Sequence, residues 1–379
     1  MRQRGKLDLL KGTSIKQLME NTLTHTDING NTLDMKGEVY TGSLDLIVTH
    51  YKEPWSVGKK FFDMLALQRD INFDDVGVIL VNDGEENEFV GNWNKQYPYQ
   101  ICQISIPHGG VSKARNAGLD TSDADWVMFC DFDDSFSSLF GLYLIFCGMQ
   151  DDSTDLLRAT FTEETKDDQG VIHLVSHDND TVFIHGKVFR RSFLVDNGIR
   201  FHDKLTIHED GFFNVLTYAL AKDREQQIQT PIYLWAWNDN SVVRKDRSED
   251  FVLDTYDHLI KQRIALTDEF IKRGKPNEVM MTVAKTVVDS YYDFQQHAWR
   301  LPRNKAKRER AERWFCAYLK RFASLYAKAT PQQVGEMATI SRARVAMKKT
   351  MLIESETLKD WLEHIMKDVR PIPKDEQGV

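Results

Sequence analysis

Three carboxylates lie within four consecutive positions of the chain, at Asp131, Asp133 and Asp134. They directly follow the apolar run from Trp126 to Cys130, which is typical of a buried strand, so they fall where that strand must end. Carboxylates this close together repel one another and need a cation or a ligand to balance their charge. Because alternate residues of an extended chain lie on the same side, Asp131 and Asp133 form a pair whose oxygens suit Mg²⁺ or Mn²⁺. The alternative is a solvated acidic turn, since aspartate is common in turns.

The chain around these carboxylates alternates between predicted strands and helices. One helix is predicted from Pro54 to about Arg69, and a glycine-rich loop with a short helix from Gly109 to Gly118. This succession is typical of an α/β fold with a largely parallel sheet, whose ligands bind at the carboxyl ends of the strands. The predicted strands are Leu44–Thr49, Val76–Val81, a short one near Gln100–Ile104, and Trp126–Cys130.

Three of these strands end in polar residues. Thr49 to Glu53 follows the first strand, Asn82 to Gly84 follows the second, and Asp131 to Asp134 follows the last. One polar strand end is ordinary, but the carboxyl ends of parallel strands meet at the same edge of a sheet. The sequence therefore predicts one site at that edge.

The motifs at these strand ends resemble those of glycosyltransferase family 2, on the GT-A fold, over roughly residues 43–245. The family pattern departs here at two places, Lys52 and Asn82, both where the family holds the nucleotide base. The motifs that carry the resemblance are Tyr51-Lys52-Glu53, Asn82-Asp83-Gly84-Glu85, Ala114-Arg115-Asn116-Ala117-Gly118 and Asp131-Phe132-Asp133-Asp134, followed by the segments 185–192, 208–213 and 233–241.

The resemblance implies a donor site for a nucleotide-sugar, which we expect to be a UDP-sugar. It implies that Asp133, with Asp131 or Asp134, holds Mn²⁺ or Mg²⁺ between the two donor phosphates, where the metal offsets charge on the departing nucleoside diphosphate. Asp83 is expected to contact the base and Asp131 the ribose, with ordinary turn capping as the alternative. Arg115 is expected to meet the donor phosphate or base, with an ion pair inside the fold as the alternative. Two further residues of the donor site are Tyr51 and Glu53.

The resemblance also implies an inverting transfer, which needs one carboxylate to take the proton of the acceptor hydroxyl. Asp210 is the candidate general base and Glu209 the second candidate, because the pair opens an apolar run typical of a helix. A carboxylate at a helix start is also a common cap. We expect His208 to be structural or to face the acceptor. Lys187 and Arg244 are candidate phosphate or acceptor contacts, with a solvated cation as the default.

The length of 379 residues favours more than one domain. We expect an N-terminal lead-in over 1–42, a GT-A domain over 43–250 and an all-α helical domain over 251–379, because the hydrophobic period after residue 250 is helical throughout. Three apolar stripes mark these helices, from Val283 to Ala298, from Trp314 to Tyr326 and from Leu358 to Ile365.

The four cysteines have no metal-type spacing, which indicates free thiols in a reducing compartment. The first residues lead into no long apolar run, and the most apolar run, Leu139 to Met149, is too short to span a bilayer. We therefore expect a cytoplasmic protein.

The charge of the chain is unevenly distributed. From Arg300 to Lys349 there are 14 lysines and arginines against 3 acidic residues, although the whole chain has a net charge of -8. An excess of this size predicts a surface that meets an anionic partner. Teichoic acid or another cell-surface glycan, nucleic acid including hydroxymethylated DNA, and an anionic membrane surface all qualify, and a contact between copies of the chain is a further use. The alternative is the charged face of ordinary amphipathic helices. The cations expected to carry the contact are Arg303, Lys307, Arg310 and Arg313.

Two interpretations from other classes fit parts of the chain. The Asp131 to Ser135 segment loosely fits the nucleophile loop of haloacid-dehalogenase-type phosphatases, with Asp131 as nucleophile and Asp133 as acid/base. That fold usually begins with this strand, whereas three predicted strands precede it here. The second is a non-catalytic polyanion-binding protein, in which loss of Asp133 or Asp210 would be expected, and both are present.

Overall fold

The computed structural model describes residues 42–84, 96–239, 251–347, 351–367 and 372. Residues 1–41 of the predicted lead-in over 1–42, Glu85 of the second motif, and Arg244 lie outside these residues. Among the described residues, none of the helices has the length and apolar character needed to cross a membrane.

The first half of the sheet is parallel and contains all four predicted strands. Its order is β3-β2-β1-β4. Strand β1 pairs so that Thr49 lies beside Asp131 and His50 beside Asn82, which brings the three polar strand ends to one edge. The strands are β1 Leu44–His50, β2 Val76–Asp83, β3 Gln100–Ile106 and β4 Trp126–Asp131.

The second half of the sheet continues from β4 through antiparallel and parallel pairs in the order β4-β8-β6-β9-β5, with β7 on β6. Because β5 directly follows Asp134 and pairs with β9 through Phe136 and Tyr233, the end of β9 lies next to the carboxylates after β4. The strands are β5 Ser135–Phe136, β6 Leu156–Lys166, β7 Ile172–His177, β8 Lys187–Arg190 and β9 Glu225–Trp235.

Five helices of the described residues accompany the sheet. Extended Pro54 precedes α1, whose buried face includes Phe61, Phe62 and Leu65 as the sequence predicts. In α2, Gly118 lies against the sheet so closely that a Cβ there would overlap Ile47. The helices are α1 Trp55–Ala66, α2 Val111–Thr121, α3 Gly141–Met149, α4 Arg191–Asp196 and α5 Glu209–Ala221.

The described residues after 250 are helical, as the hydrophobic period predicts. The three predicted stripes bury their aromatic residues in one cluster, in which Phe315 and Trp361 stack at 5.0 Å. The helices are α6 Phe251–Asp254, α7 Tyr256–Lys272, α8 Pro276–Phe294, α9 Lys305–Tyr326, α10 Pro331–Met347 and α11 Leu358–Lys367.

Two hydrophobic cores share helix α7. One lies among the C-terminal helices and includes Ile260 of α7. The other lies against the parallel sheet and includes Leu266 and Phe270 of the same helix. The described residues from 42 onward belong to one compact unit. A domain boundary at residue 250 stays a prediction.

Candidate active site

The chain turns immediately after β4. The amide of Asp134 donates to the carbonyl of Asp131 at 3.2 Å, so the segment is not the extended chain on which the pairing of Asp131 and Asp133 was based. Asp133 instead accepts a hydrogen bond at Oδ2 from Nδ2 of Asn238, at 2.7 Å. Burial and the nearby Asp131 charge raise the pKa of the Asp133 carboxyl. The three carboxylates therefore have different neighbours.

Asp134 is fully buried and holds the end of β9. Its Oδ2 accepts from the Tyr233 hydroxyl at 2.7 Å, and its Oδ1 from the Ala236 amide at 3.0 Å. The Tyr233 oxygen in turn accepts from the amide of Asp131 at 3.1 Å. Burial, with the charges of Asp131 and Asp133, raises the pKa of Asp134 well above its usual range. These contacts give Asp134 a supporting position, while its predicted role as a metal ligand stays a prediction.

A histidine lies beside two of the carboxylates. Among the described residues, Asp131, Asp134 and His185 are the group whose carboxylate and imidazole atoms lie within 4.8 Å of one another. Nδ1 of His185 is 3.6 Å from Oδ2 of Asp134, and the buried ring stacks against Tyr233 with a centroid distance of 5.4 Å. Carboxylate oxygens with one imidazole nitrogen suit a divalent transition metal, so the residues present fit a cation such as Mn²⁺.

The sequence reasoning assigned no role to His185. Its motif, 185–192, was recognised, but it is more than fifty positions after Asp131, and no local pattern indicates that the two meet. His208, which is expected to be structural or to face the acceptor, precedes α5 in the left-handed conformation, at φ 66°. Burial, with Arg263 and His258, lowers the pKa of His208 to about 4.

Arg115 projects from α2 into a group of three carboxylates. Its side chain is 3% exposed. Nη2 lies 3.0 Å from Oδ1 of Asp131, and Nη1 lies 3.1 Å from Oε1 of Glu209 and 2.6 Å from Oδ1 of Asp210. Although burial lowers the pKa of the guanidinium, the three carboxylates raise it, Asp210 most of all, and the net shift is upward. The ion pair inside the fold, which the sequence left as the alternative for Arg115, is therefore present.

The same guanidinium determines the charge of Asp131. Burial acts to raise the pKa of this carboxyl, but Arg115 and His185 lower it, and the net pKa is below the ordinary value. Thr49 adds a long hydrogen bond to Oδ1, at 3.5 Å. Asp131 is thus held ionised at the carboxyl edge of the sheet.

Glu209 and Asp210 open helix α5, as the sequence predicts. The carboxylate of Asp210 has partners on both oxygens. Its Oδ2 accepts a hydrogen bond from the Ile184 amide at 3.2 Å, and its Oδ1 accepts one from Arg115. Burial and the Asp210 charge raise the pKa of Glu209. Neither side chain is completely buried, with 13% of Glu209 and 18% of Asp210 exposed.

Two buried side chains, Asn214 and Lys187, hold the segment that supplies the Ile184 amide. Nδ2 of Asn214, a fully buried residue of α5, donates to the carbonyls of Val182 and Phe183 at 2.7 and 3.0 Å. The ammonium of Lys187 donates to the Phe183 carbonyl and lies 3.2 Å from Oδ1 of Asp180. Lys187 is 1% exposed, so the expectation of a solvated cation is wrong. Burial lowers its pKa, although Asp180 opposes this shift.

Asp83 holds the glycine-rich loop before α2. Its Oδ1 accepts from the Gly109 amide at 2.7 Å and its Oδ2 from the Gly110 amide at 2.9 Å, and Nδ1 of His108 lies 2.9 Å from Oδ2. The side chain is 5% exposed. The turn-capping alternative for Asp83 is present, and a contact with a base stays a prediction.

An aromatic pair stands at the end of β1. The rings of Tyr51 and His108 stack with centroids 4.1 Å apart and an angle of 12°. Tyr51 is 38% exposed, and its amide donates to Oε2 of Glu53 at 2.7 Å. Asn82, one of the two departures from the family pattern, lies with its Oδ1 3.0 Å from Nδ1 of His50.

The basic segment is less free of acidic partners than its composition suggests. Lys307 lies 2.6 Å from Asp254 of α6, and Arg310 lies 3.0 Å from Asp257 of α7. These acidic partners belong to earlier helices and therefore lie outside the segment from Arg300 to Lys349 that carries the excess of cations.

Comparison with known proteins agrees with this geometry. Residues 45–140 match the model of the family described as Glycosyl transferase family 2. This segment of the chain is therefore similar to that family. The match ends just after the carboxylates of the first half of the site, so Glu209 and Asp210 lie outside it. The resemblance stated from the motifs is confirmed.

Two curated proteins of Bacillus subtilis (strain 168) are similar in sequence. The uncharacterized glycosyltransferase EpsJ is 26% identical over an alignment of 191 residues, which covers 44% of this chain and 54% of that protein. The minor teichoic acid biosynthesis protein GgaB is 34% identical over 74 residues, 19% of this chain and 8% of that protein. The chain thus spans about half of EpsJ and a small part of GgaB.

Solved structures of S. aureus TarS share the fold. One covers 79% of this chain and 53% of TarS with a TM-score of 0.53 at 15% identity. TarS 1–349 in complex with UDP-GlcNAc covers 81% of this chain and 92% of that chain with a TM-score of 0.55 at 14% identity. At such identities the likeness concerns the fold alone. The predicted GT-A fold with helices after it is confirmed.

Proposed function

We propose that this protein is a metal-dependent inverting glycosyltransferase that moves a sugar from a UDP-sugar to an acceptor hydroxyl. The observation that carries the proposal is the meeting of Asp131, from the end of β4, with Asp210, from the start of α5, around Arg115. The family match, and the three described strands that precede β4, disfavour the phosphatase alternative.

The donor site in this proposal lies at the carboxyl ends of β1, β2 and β4. Tyr51 offers an exposed ring, backed by His108, on which a base can stack, and aromatic stacking of a base is worth about 1–3 kcal/mol. Asp83 shapes this region by holding the glycine-rich loop, and Glu53 holds the backbone of Tyr51. The TarS complex with UDP-GlcNAc, which shares the fold, supports a UDP-sugar as the donor.

The carboxylates after β4 are the proposed holders of a divalent cation. Asp131 supplies an oxygen and His185 a nitrogen close to it, and Asp133, two positions after Asp131, is the proposed source of a further oxygen. Asp134 supports them, because both of its oxygens already accept hydrogen bonds from the end of β9. The metal, when bound, offsets the negative charge of the departing nucleoside diphosphate.

Asp210 is the proposed general base. The acceptor oxygen attacks the anomeric carbon from the face opposite the diphosphate, the bond to the diphosphate breaks, and Asp210 takes the hydroxyl proton. The Ile184 amide and Arg115 orient the carboxylate for this step. Glu209, which shares Nη1 of Arg115, is the second candidate.

The proposed acceptor is an anionic polymer such as a teichoic acid. The excess of cations between Arg300 and Lys349 supports this, as does the short match to a protein named for minor teichoic acid biosynthesis. Arg303 and Lys305 are both exposed, so they are the residues chosen for the test. Reversal of both to glutamate should raise the apparent KM for an anionic acceptor, more so at low salt, and leave donor binding unchanged. Transfer to a neutral glucan, insensitive to salt and to the reversal, would argue against this acceptor, and transfer to hydroxymethylated DNA would identify the other polyanion.

Turnover of UDP-sugars with Mn²⁺ and with EDTA tests the reaction itself. Activity should need the cation and be lost in Asp133→Ala. Asp210→Asn, which is nearly isosteric, should bind donor normally and lose about 10²–10⁴-fold in turnover. Full activity in the chelator would exclude the metal mechanism. Retention of more than about a tenth of wild-type turnover by Asp210→Asn would exclude Asp210 as the base and direct attention to Glu209.

A further inference from the structure

We propose that Arg115 is a positioning residue that sets the general base at a fixed distance from the donor side of the site. The inference deepens the proposed function and rests on it. One guanidinium joins two structural elements that are far apart in the chain, the end of β4 through Asp131 and the start of α5 through Asp210. Asp131 belongs to the donor side, and Asp210 belongs to the acceptor side.

The planar guanidinium suits this task. Nη1 and Nη2 are fixed relative to each other, so their contacts at 2.6 Å with Asp210 and 3.0 Å with Asp131 set the separation of the two carboxylates. Inversion requires the base to lie on the face of the sugar opposite the diphosphate, and a misplacement of about 1 Å can cost about 10²-fold in rate.

The guanidinium is itself held in place. Its Cζ lies 5.1 Å from the centroid of the Phe201 ring. The neighbouring side chain of Asn116 donates to the Phe201 carbonyl at 2.9 Å and accepts from the Phe201 amide at 3.0 Å. Helix α2, which carries both residues, packs against β1 through Gly118. Arg115 is therefore a rigid connection whose position follows that of the sheet.

Its contacts distinguish this role from that of a donor ligand. Both terminal nitrogens are engaged by carboxylates of the protein, and the side chain is 3% exposed, which leaves it little surface to offer to a diphosphate. Its removal should therefore affect the chemical step more than donor binding.

Arg115→Lys is the test, because an ammonium retains the charge but cannot span two carboxylates as the two terminal nitrogens of the guanidinium fork do. We expect kcat to fall about 10²-fold and the dissociation constant of the UDP-sugar, measured by calorimetry, to change less than about tenfold. In an Asp210→Asn background the same change should cost less than about threefold in kcat, because the base that Arg115 positions is already lost.

Arg344→Lys is the matched control, since Arg344 pairs with the buried Asp293 at 2.9 Å among the C-terminal helices. It should alter the thermal midpoint but not kcat. If Arg115→Lys does not fold, Arg115→Gln, whose neutral amide also lacks the fork, takes its place in the same cycle. A loss of kcat that is equally large in the Asp210→Asn background would overturn the inference, and so would a loss confined to donor affinity. A wild-type protein that turns over no UDP-sugar would instead refute the proposed function, and the inference with it.

Discussion

The fold makes the carboxyl group of Glu209 harder to ionise than an ordinary glutamic acid. It lies mostly buried beside Asp210, with Nη1 of Arg115 as a shared partner. Burial and the Asp210 charge raise its pKa, so the folded protein binds this proton more tightly than the unfolded chain does. By linkage, such a group costs increasing stability as the pH rises above the ordinary range of glutamic acid, about 4.3.

Glu209→Gln removes this cost because the amide does not ionise. We expect the variant to melt at the same temperature as the wild type near pH 4 and at a progressively higher temperature toward neutral pH, measured by thermal unfolding across that range. Glu363→Gln, at an exposed position of α11, is the control and should show no such trend. A difference that is the same at every pH would show that the proton on Glu209 is not responsible.

Single residues show which parts of the candidate site have a signal in the local sequence and which do not. Asp131, Asp133, Glu209 and Asp210 were predicted because clustered carboxylates at element ends are visible in the local sequence. The partners of the first cluster were not, since Tyr233 and Asn238 lie about a hundred positions later. Only the register of β5 on β9 brings them together. For the same reason the meeting of Arg115 with Asp210 had no signal in the sequence.

At the scale of elements, helix α2 is positioned by its closest approach to the sheet. A Cβ at Gly118 would overlap Cγ2 of Ile47 and lie 3.2 Å from Cγ2 of Val81. Both neighbours are buried β-branched side chains of β1 and β2, which have few alternative rotamers. Any added atom must therefore move the helix rather than the strands.

Gly118→Ala should destabilise the protein by about 1–3 kcal/mol through overpacking, although alanine favours a helix more than glycine does. It should also lower turnover, because α2 carries Arg115. The control is Gly335→Ala in α10, where a Cβ would meet nothing within 4 Å, and which should stabilise by about 1 kcal/mol from helix propensity alone. Denaturant unfolding of both variants measures this. A stabilised Gly118→Ala would mean that α2 has room to move.

The elements themselves were predicted unequally. Strands β1, β2 and β4 are continuous apolar runs with buried patterns, which is why the first half of the sheet was visible in the sequence. In the second half, β7 is almost entirely exposed and β8 has four residues. Neither has a periodicity that a local pattern can detect, so this half follows only from tertiary pairing.

At the scale of the whole molecule, helix α7 joins the sheet to the C-terminal helices. Leu266 and Phe270 are buried against the parallel half of the sheet, while Ile260 of the same helix belongs to the core of the helical part. Asp257 and Asp268 of α7 also pair with Arg310 and Arg321 of α9. The two parts therefore share apolar surface and charge, so that neither buries its own core completely when the other is removed.

We expect the described part of the chain to unfold in one cooperative transition. Phe270→Ala in the sheet core and Phe322→Ala in the helical core, at 1% and 2% exposure, should each cost about 3–5 kcal/mol. Both should lower the midpoint of the same calorimetric peak, and a chain ended at residue 250 should fail to give that peak. A different result would be two separate peaks, with Phe322→Ala lowering the midpoint of only one of them and leaving UDP-sugar binding unchanged. The helices after residue 250 would then form an independent domain. The boundary predicted at that residue would then separate two parts of the chain that unfold independently.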